Sequence, residues 1–165
     1  MKLTQRISSV VLALVVMTSA GCGFHLQGSY FIPDSLSTLH LSSSDEYSEL
    51  TRLVRERLRL NNVTLTEAAA DVPTLRLIND SLERATLSLY PTGNVAEYEL
   101  IYQVNFSVRF DKQAAKVFDV VIRRDYLDDP RTALAKSKEM ELLLKEMRIQ
   151  AADKIIQTLS TVETN

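Results

Sequence analysis

The amino-acid sequence predicts an α+β domain in two layers, with two α-helices packed on one face of a four-stranded, mostly antiparallel sheet. Three observations lead there. Ala96, Tyr98, Leu100, Tyr102, Val104, Phe106, Val108 and Phe110 share one parity while mostly polar residues fill the other. That is the pattern of a strand with one buried and one wet face. Short polar turns separate this stretch from strand-like segments on either side, so 74–89, 96–110 and 117–127 read as an antiparallel meander. Apolar residues at helical spacing flank the meander, over 43–60 and from Pro130 to about Thr161.

The chain opens on a leader. Residues 1–6 carry Lys2 and Arg6 and no acid, residues 7–17 are dominated by apolar side chains, and Thr18, Ser19, Ala20 and Gly21 are a run ending in small residues. These are the charged, apolar and cleavage regions of a secretory signal peptide, expected to be removed over 1–21. The apolar region falls short of the roughly 20 residues needed to span a bilayer as a helix. Cys22, the only cysteine, comes next. The stretch resembles the lipobox of bacterial lipoproteins, in which the thiol takes a diacylglycerol and the new amino terminus an acyl chain. Ser19 stands where that box most often has Leu. Two readings fit: a protein anchored by lipid at Cys22, or a soluble secreted protein cut near Ala20. The second leaves an unpaired thiol in an oxidising compartment, which is a liability. With three acyl chains, each buried methylene contributing about 0.8 kcal/mol, anchoring is stable rather than transient. In lipoproteins of the enterobacterial type an Asp after the cysteine marks inner-membrane retention. By that resemblance Gly23 implies the outer membrane, facing the periplasm.

Removing the leader leaves 144 residues, one domain's worth, and takes away two positive charges, moving the formal charge from −2 to −4. A mildly acidic domain is a poor candidate for nucleic acid, which needs a basic footprint. No disulfide is possible within one chain, so stability has to come from a packed core, which 45% hydrophobic residues can supply. The expected organisation is a lipidated tether over 22–37, a single domain over 38–161 and a short tail over 162–165.

Within the tether, Gly28, Pro33 and Ser35 read as irregular chain. Leu39 and Leu41 alternate around His40, a short strand. Ser43 with Glu46 fits a capping box, opening a helix to about Leu60, with Tyr47, Leu50, Leu53, Val54 and Leu58 on its apolar face. Val63, Thr64 and Leu65 add a little strand. In 74–89 the apolar parity slips between Leu77 and Leu82, which a bulge near Asn79, Asp80 and Ser81 would explain. A turn follows at 90–94. Asp129 before Pro130 predicts the N-cap and first position of the last helix.

On that helix Met140, Leu143, Leu144, Met147, Ala151 and Ile155 make the core stripe. At about 100° per residue, Leu142, Ile149 and Ile156 fall on the opposite side. They form a second apolar surface for a partner, or are incidental aliphatics, or belong to a longer core. The wet face of 96–110 is uncharged at Gln103, Asn105 and Ser107, which suits either a polar, hydrogen-bonding lumen or ordinary solvent. Arg52, Arg55 and Arg59 on the first helix suit phosphate or carboxylate recognition, and equally a solvated face. No HExxH, GxSxG, phosphate loop or Cys/His cluster is present, and the two histidines, His25 and His40, lie apart. Catalysis is not expected, nor a metal, nor any cofactor beyond the diacylglycerol and N-acyl chain on Cys22.

Several segments together carry a family resemblance. They are 21–26 (GCGFHL), 54–65 (VRERLRLNNVTL), 71–77 (DVPTLRL), 96–99 (AEYE) leading into the long strand, and 128–146 (DDPRTALAKSKEMELLLKE). In this order the set resembles the LPS-assembly lipoprotein LptE family. The resemblance implies an outer-membrane lipoprotein that plugs the β-barrel of LptD, helps it assemble and binds lipopolysaccharide in transit. Lys136 sits where a basic residue that contacts lipopolysaccharide belongs, with Arg131 nearby. The turn at 90–94, where the family has another basic position, holds Pro91. Leu142, Ile149 and Ile156 are the expected partner interface. Two other functions stay open: a lipid-anchored, periplasm-facing module binding a small ligand in a helix–sheet cleft, and a scaffold for another envelope assembly.

Overall fold

A computed structural model of the chain describes residues 30–111, 113–128 and 133–162. A 3₁₀ turn at Asp34–Leu36 leads into β1 (Thr38–Ser43), α1 (Glu49–Leu60), β2 (Thr64–Leu65), β3 (Thr74–Leu89), β4 (Val95–Arg109), β5 (Lys116–Leu127) and α2 (Ala133–Leu159). Both helices join the strands in one α+β core. The expected four-stranded, mostly antiparallel sheet is corrected: the sheet has five strands in the order β2-β1-β3-β4-β5. It is mixed, because β1 pairs parallel with both β2 and β3, while β3–β4 and β4–β5 are antiparallel. The reason is α1, a crossover long enough to return the chain in the same direction. Hydropathy along a strand reports which side is buried and not which way its neighbour runs, and β2 is too short to show an alternation.

The meander is as the sequence implies. Leu77 pairs with Phe106 and Asn79 with Asn105, so Ile78 is the extra residue of a bulge, slightly earlier than the expected position. Ser44, just past the end of β1, donates its hydroxyl to the Ile78 carbonyl at 3.0 Å. The bulge changes the parity of β3. Leu75 and Leu77 face the helices before it, and Asp80 and Leu82, opposite Val104 and Tyr102, face them after it. Tyr102 is buried and donates its hydroxyl to Asp80 Oδ2 at 2.6 Å. Burial first, and then Asp80, pushes the Tyr102 phenol well above the ordinary tyrosine range. In the turn to β4, Gly93 takes φ 86°, a left-handed conformation that glycine adopts without strain.

The first helix starts later than Ser43. Its N-cap is Ser48, whose hydroxyl accepts the Thr51 N–H at 3.1 Å, while Ser43 Oγ accepts the Asp45 N–H at 3.2 Å in the preceding turn. Tyr47 therefore lies outside the helix and is 90% exposed instead of packing on the core. Leu36, in the expected tether, is fully buried, so the packed chain begins before residue 38. The expected cap at Asp129 and Pro130 lies outside the described residues.

Ion pairs Glu49–Arg148 and Arg57–Asp153 set α1 and α2 side by side in the same direction. With 12 residues against 27, α1 flanks only the C-terminal half of α2. There α2 touches both sheet and helix, and Met147, Ala151, Ala152, Ile155, Ile156 and Leu159 are all fully buried. Ile156 is thus corrected from the outer stripe to the core, because two neighbours bury a wider arc than one. Ile149 is half-buried, whereas Leu142, in the half without a helical neighbour, is 63% exposed. Ile156→Ala should cost about 2–4 kcal/mol, as for a buried aliphatic truncation. Leu142→Ala should change stability by about 0.5 kcal/mol or less. Urea unfolding of the two variants checks the difference, and equal losses would place both residues in one environment.

Candidate functional site

Lys136 lies in the first turns of α2, and the end of β5 fixes it. Tyr126 stands opposite Tyr98 on the helix side of the sheet, and its hydroxyl donates to the Lys136 carbonyl at 3.1 Å. The Lys136 ammonium sits 4.9 Å from the centre of the Tyr126 ring, within cation–π range. Nζ also donates to Glu139 Oε2 at 2.7 Å, the i,i+3 spacing that brings side chains together on a helix. The Lys136 side chain is only 15% exposed, and the Glu139 hydrogen bond holds its pKa above the ordinary lysine value. Lys136 is a cation clamped between an acid and an aromatic face, not a free ammonium.

Asp128 also acts on Lys136 electrostatically, and apolar side chains are exposed at the same end. Tyr90 donates its hydroxyl to the Asp128 carbonyl at 3.1 Å and Asp128 its N–H to the Ala96 carbonyl at 2.9 Å, tying the 90–94 turn to the end of β5. Leu87, Leu89, Leu127 and Leu134 are all exposed at this end of the molecule, Leu134 at 81%. A held charge beside exposed leucines suits an amphiphile with an anionic head and apolar tails.

The other expected site residues are dispersed. Arg131 lies outside the described residues. Leu142, Ile149 and Ile156 do not share a surface: the first is exposed, the second half-buried and the third in the core. Arg52, Arg55 and Arg59 line a depression of about 380 Å³ on α1 with Glu56 and Leu60. Among the described residues no three His, Cys, Asp or Glu converge as a metal site, and no helix is long and apolar enough to cross a membrane. Sequence reasoning missed Glu139 and Tyr126 as partners of Lys136. Glu139 was readable from its spacing, but Tyr126 becomes visible only through the packing of α2 on β5.

The Tyr126 phenol is pushed up, first by burial, with the nearby Lys136 charge opposing. A tyrosine whose pKa is raised in the folded state contributes stability that is complete below the unfolded value, about 10, and is lost as pH climbs above it. Tyr126→Phe should therefore cost about 1 kcal/mol at pH 7, from the lost hydrogen bond, and flatten the decline above pH 10. Denaturant melts at pH 7 and in alkaline buffer check both, and an unchanged alkaline slope would assign that decline to Tyr102.

The profile of the LptE family, described as lipopolysaccharide-assembly, matches residues 36–159. A protein named LPS-assembly lipoprotein LptE from Pectobacterium atrosepticum is 40% identical over 159 residues, covering 95% of this chain and 86% of that protein. The protein of the same name from Photorhabdus laumondii is 42% identical over 158 residues, covering 95% and 87%. Among solved structures, the rare lipoprotein B from Shewanella oneidensis superposes with a TM-score of 0.71 at 73% identity, covering 75% of this chain and 94% of that one. A minor lipoprotein from Acinetobacter baumannii, at 21% identity and a TM-score of 0.63, shares the fold over 76% of this chain and 91% of its own.

Proposed function

The chain belongs to the lipopolysaccharide-assembly LptE family, and from that premise we propose that it is an outer-membrane lipoprotein of lipopolysaccharide assembly. The observation that carries this reading is 40–42% identity, over 95% of the chain, to proteins named for that role. In this reading residues 1–21 are a signal peptide, Cys22 carries the diacylglycerol and N-acyl chain, and the domain sits inside an LptD-type β-barrel that it helps assemble. The polar outer face of β4, with Gln103 and Asn105 half-buried and Ser107 buried, supports a place against a polar barrel wall. The space between helices and sheet is filled by core side chains such as Tyr102, Phe106, Met147 and Ile155, which favours the plug over a ligand cleft in that layer.

Lys136 is the proposed contact for a lipopolysaccharide phosphate, with Arg131 as a second cation. The ligand phosphate takes the place of Glu139, while the leucines at this end meet its acyl chains. Leu142, exposed on α2, remains the proposed partner contact, with Ile149 at its edge; Ile156 has no part in it.

Two experiments test the reading. Cys22→Ala should abolish labelling by a fatty-acid analogue, and affinity purification of the lipidated wild type should retrieve a large β-barrel protein. Equal labelling, or no barrel, sinks the lipoprotein plug. In lipopolysaccharide capture, Lys136→Gln should weaken binding about tenfold and Glu139→Gln, which frees the ammonium, should strengthen it. If neither variant moves capture, lipopolysaccharide does not meet Lys136.

A further inference from the structure

On the outer face of the sheet, at the end where β1 lies against β3, six side chains form a grid across three strands. One row is His40, Thr74 and Arg109, and the next is Ser42, Arg76 and Ser107. Neighbours within a row are one strand spacing apart, about 4.8 Å. Arg76 and Arg109 are diagonal neighbours, with Cα atoms about 7–8 Å apart, close enough for two long side chains to meet one ligand. All six line a single depression of about 430 Å³, walled by Ala68 and Ala115 from the flanking connectors. Ser107 is buried although it faces away from the helices. His40 Nδ1 lies 3.0 Å from the Thr66 carbonyl, so the ring donates there and its Nε2 is left for another partner.

The charges of this grid are unbalanced. Among the described residues neither Arg76 nor Arg109 has an ion-pair partner, and no acid lines the depression. Of the acids on the same face, Asp119 stands opposite Asn105, outside the lining of the depression, and Glu83, Glu97, Glu99 and Asp125 lie farther along the strands, where Glu99 already pairs with Arg123 at 2.7 Å. Like charges set diagonally on a sheet repel unless an anion lies between them.

We propose that this depression is an anion site that takes a phosphate group, free or on a lipid headgroup. Two guanidinium forks, three hydroxyls and an imidazole offer more hydrogen-bond capacity than the two oxygens of a carboxylate can use, and the oxygens of a phosphate match it better. The site lies at the opposite end of the sheet from Lys136, and its phosphate binding stands whether or not lipopolysaccharide is the cargo.

The test uses the lipidated full chain in an uncharged detergent, titrated with inorganic phosphate against chloride at equal ionic strength. Phosphorus NMR reports binding, and nitrogen NMR of the arginine side chains reports where. Phosphate should shift the Arg76 and Arg109 signals and chloride should not. Arg76→Gln with Arg109→Gln should lower phosphate affinity about tenfold or more, with the melting temperature unchanged. Arg109→Lys, which keeps the charge and loses the fork, should fall between. In Lys136→Gln the Arg76 and Arg109 signals should still shift with phosphate as they do in the wild type, which separates this site from Lys136. A second arm adds micelles of lipopolysaccharide or of its dephosphorylated form. Displacement of phosphate by the first alone assigns a lipid headgroup as the source, and displacement by neither assigns free phosphate. Arginine signals that stay still in the wild type, equal shifts with chloride, or undiminished binding by the double variant overturn the site. So does displacement of phosphate by both micelle types equally.

Discussion

Twelve residues of α1 and 27 of α2 have to cover one face of a sheet whose central strands run to 16 and 15 residues. At about 3.3 Å per residue such strands reach roughly 50 Å, whereas α1 at 1.5 Å per residue spans under 20 Å. One end of the sheet is covered by two helices and the other by one. Most of the chemistry of the molecule follows from that inequality. Where both helices lie, α2 is buried over a wide arc that takes in Ala152 and Ile156 as well as Ile155. Where α2 lies alone, Met140, Leu143 and Leu144 are only partly covered, and Leu134 and Leu142 meet solvent.

The partly covered end is also where a charge is fixed. A lysine at the edge of a single-helix layer has an aromatic ring beneath it and a carboxylate one turn away, and it gives up little surface to water. Such a cation costs little further ordering when it meets an anion, since its side chain is already immobilised. In the proposed reading a ligand phosphate displaces Glu139, so that acid would set the threshold for binding as much as Lys136 would set its strength.

Much of this fold was legible in the sequence because β4 obeys a period of two without interruption, and the helices obey 3.6 where they touch one neighbour. The meander, the bulge in β3 and the buried parity of β4 all follow from such local patterns. Three features did not. The parallel pairing of β1 depends on where α1 returns the chain, and no residue of Thr38–Ser43 reports it. The Ser48 cap competed with Ser43, an equally good cap that instead closes the turn at Asp45. Ile156 was misplaced because a helical wheel assumes one buried side, whereas the C-terminal half of α2 has two. Of the candidate site, Lys136 is named from the resemblance, while Cys22, named from sequence pattern, lies outside the described residues. The ring under Lys136, and the meeting of His40, Arg76 and Arg109, depend on packing and register between distant segments.

The bulge at Ile78 links these ends. Had β3 kept one parity, Asn79, Ser81 and Glu83 would have followed Leu75 and Leu77 onto the helix side, burying polar groups without partners, at a cost of a few kcal/mol. One extra residue turns Leu82 inward instead and leaves Asp80 as acceptor for Tyr102. It also leaves Arg76, before the bulge, on the outer face beside Arg109, while Arg84, after it, lies opposite Leu100 on the side of the helices. The outer face therefore keeps its basic pair at the β1 end, and Glu97 and Glu99 lie toward the other. A sheet face divided in this way along its length presents a different charge at each end.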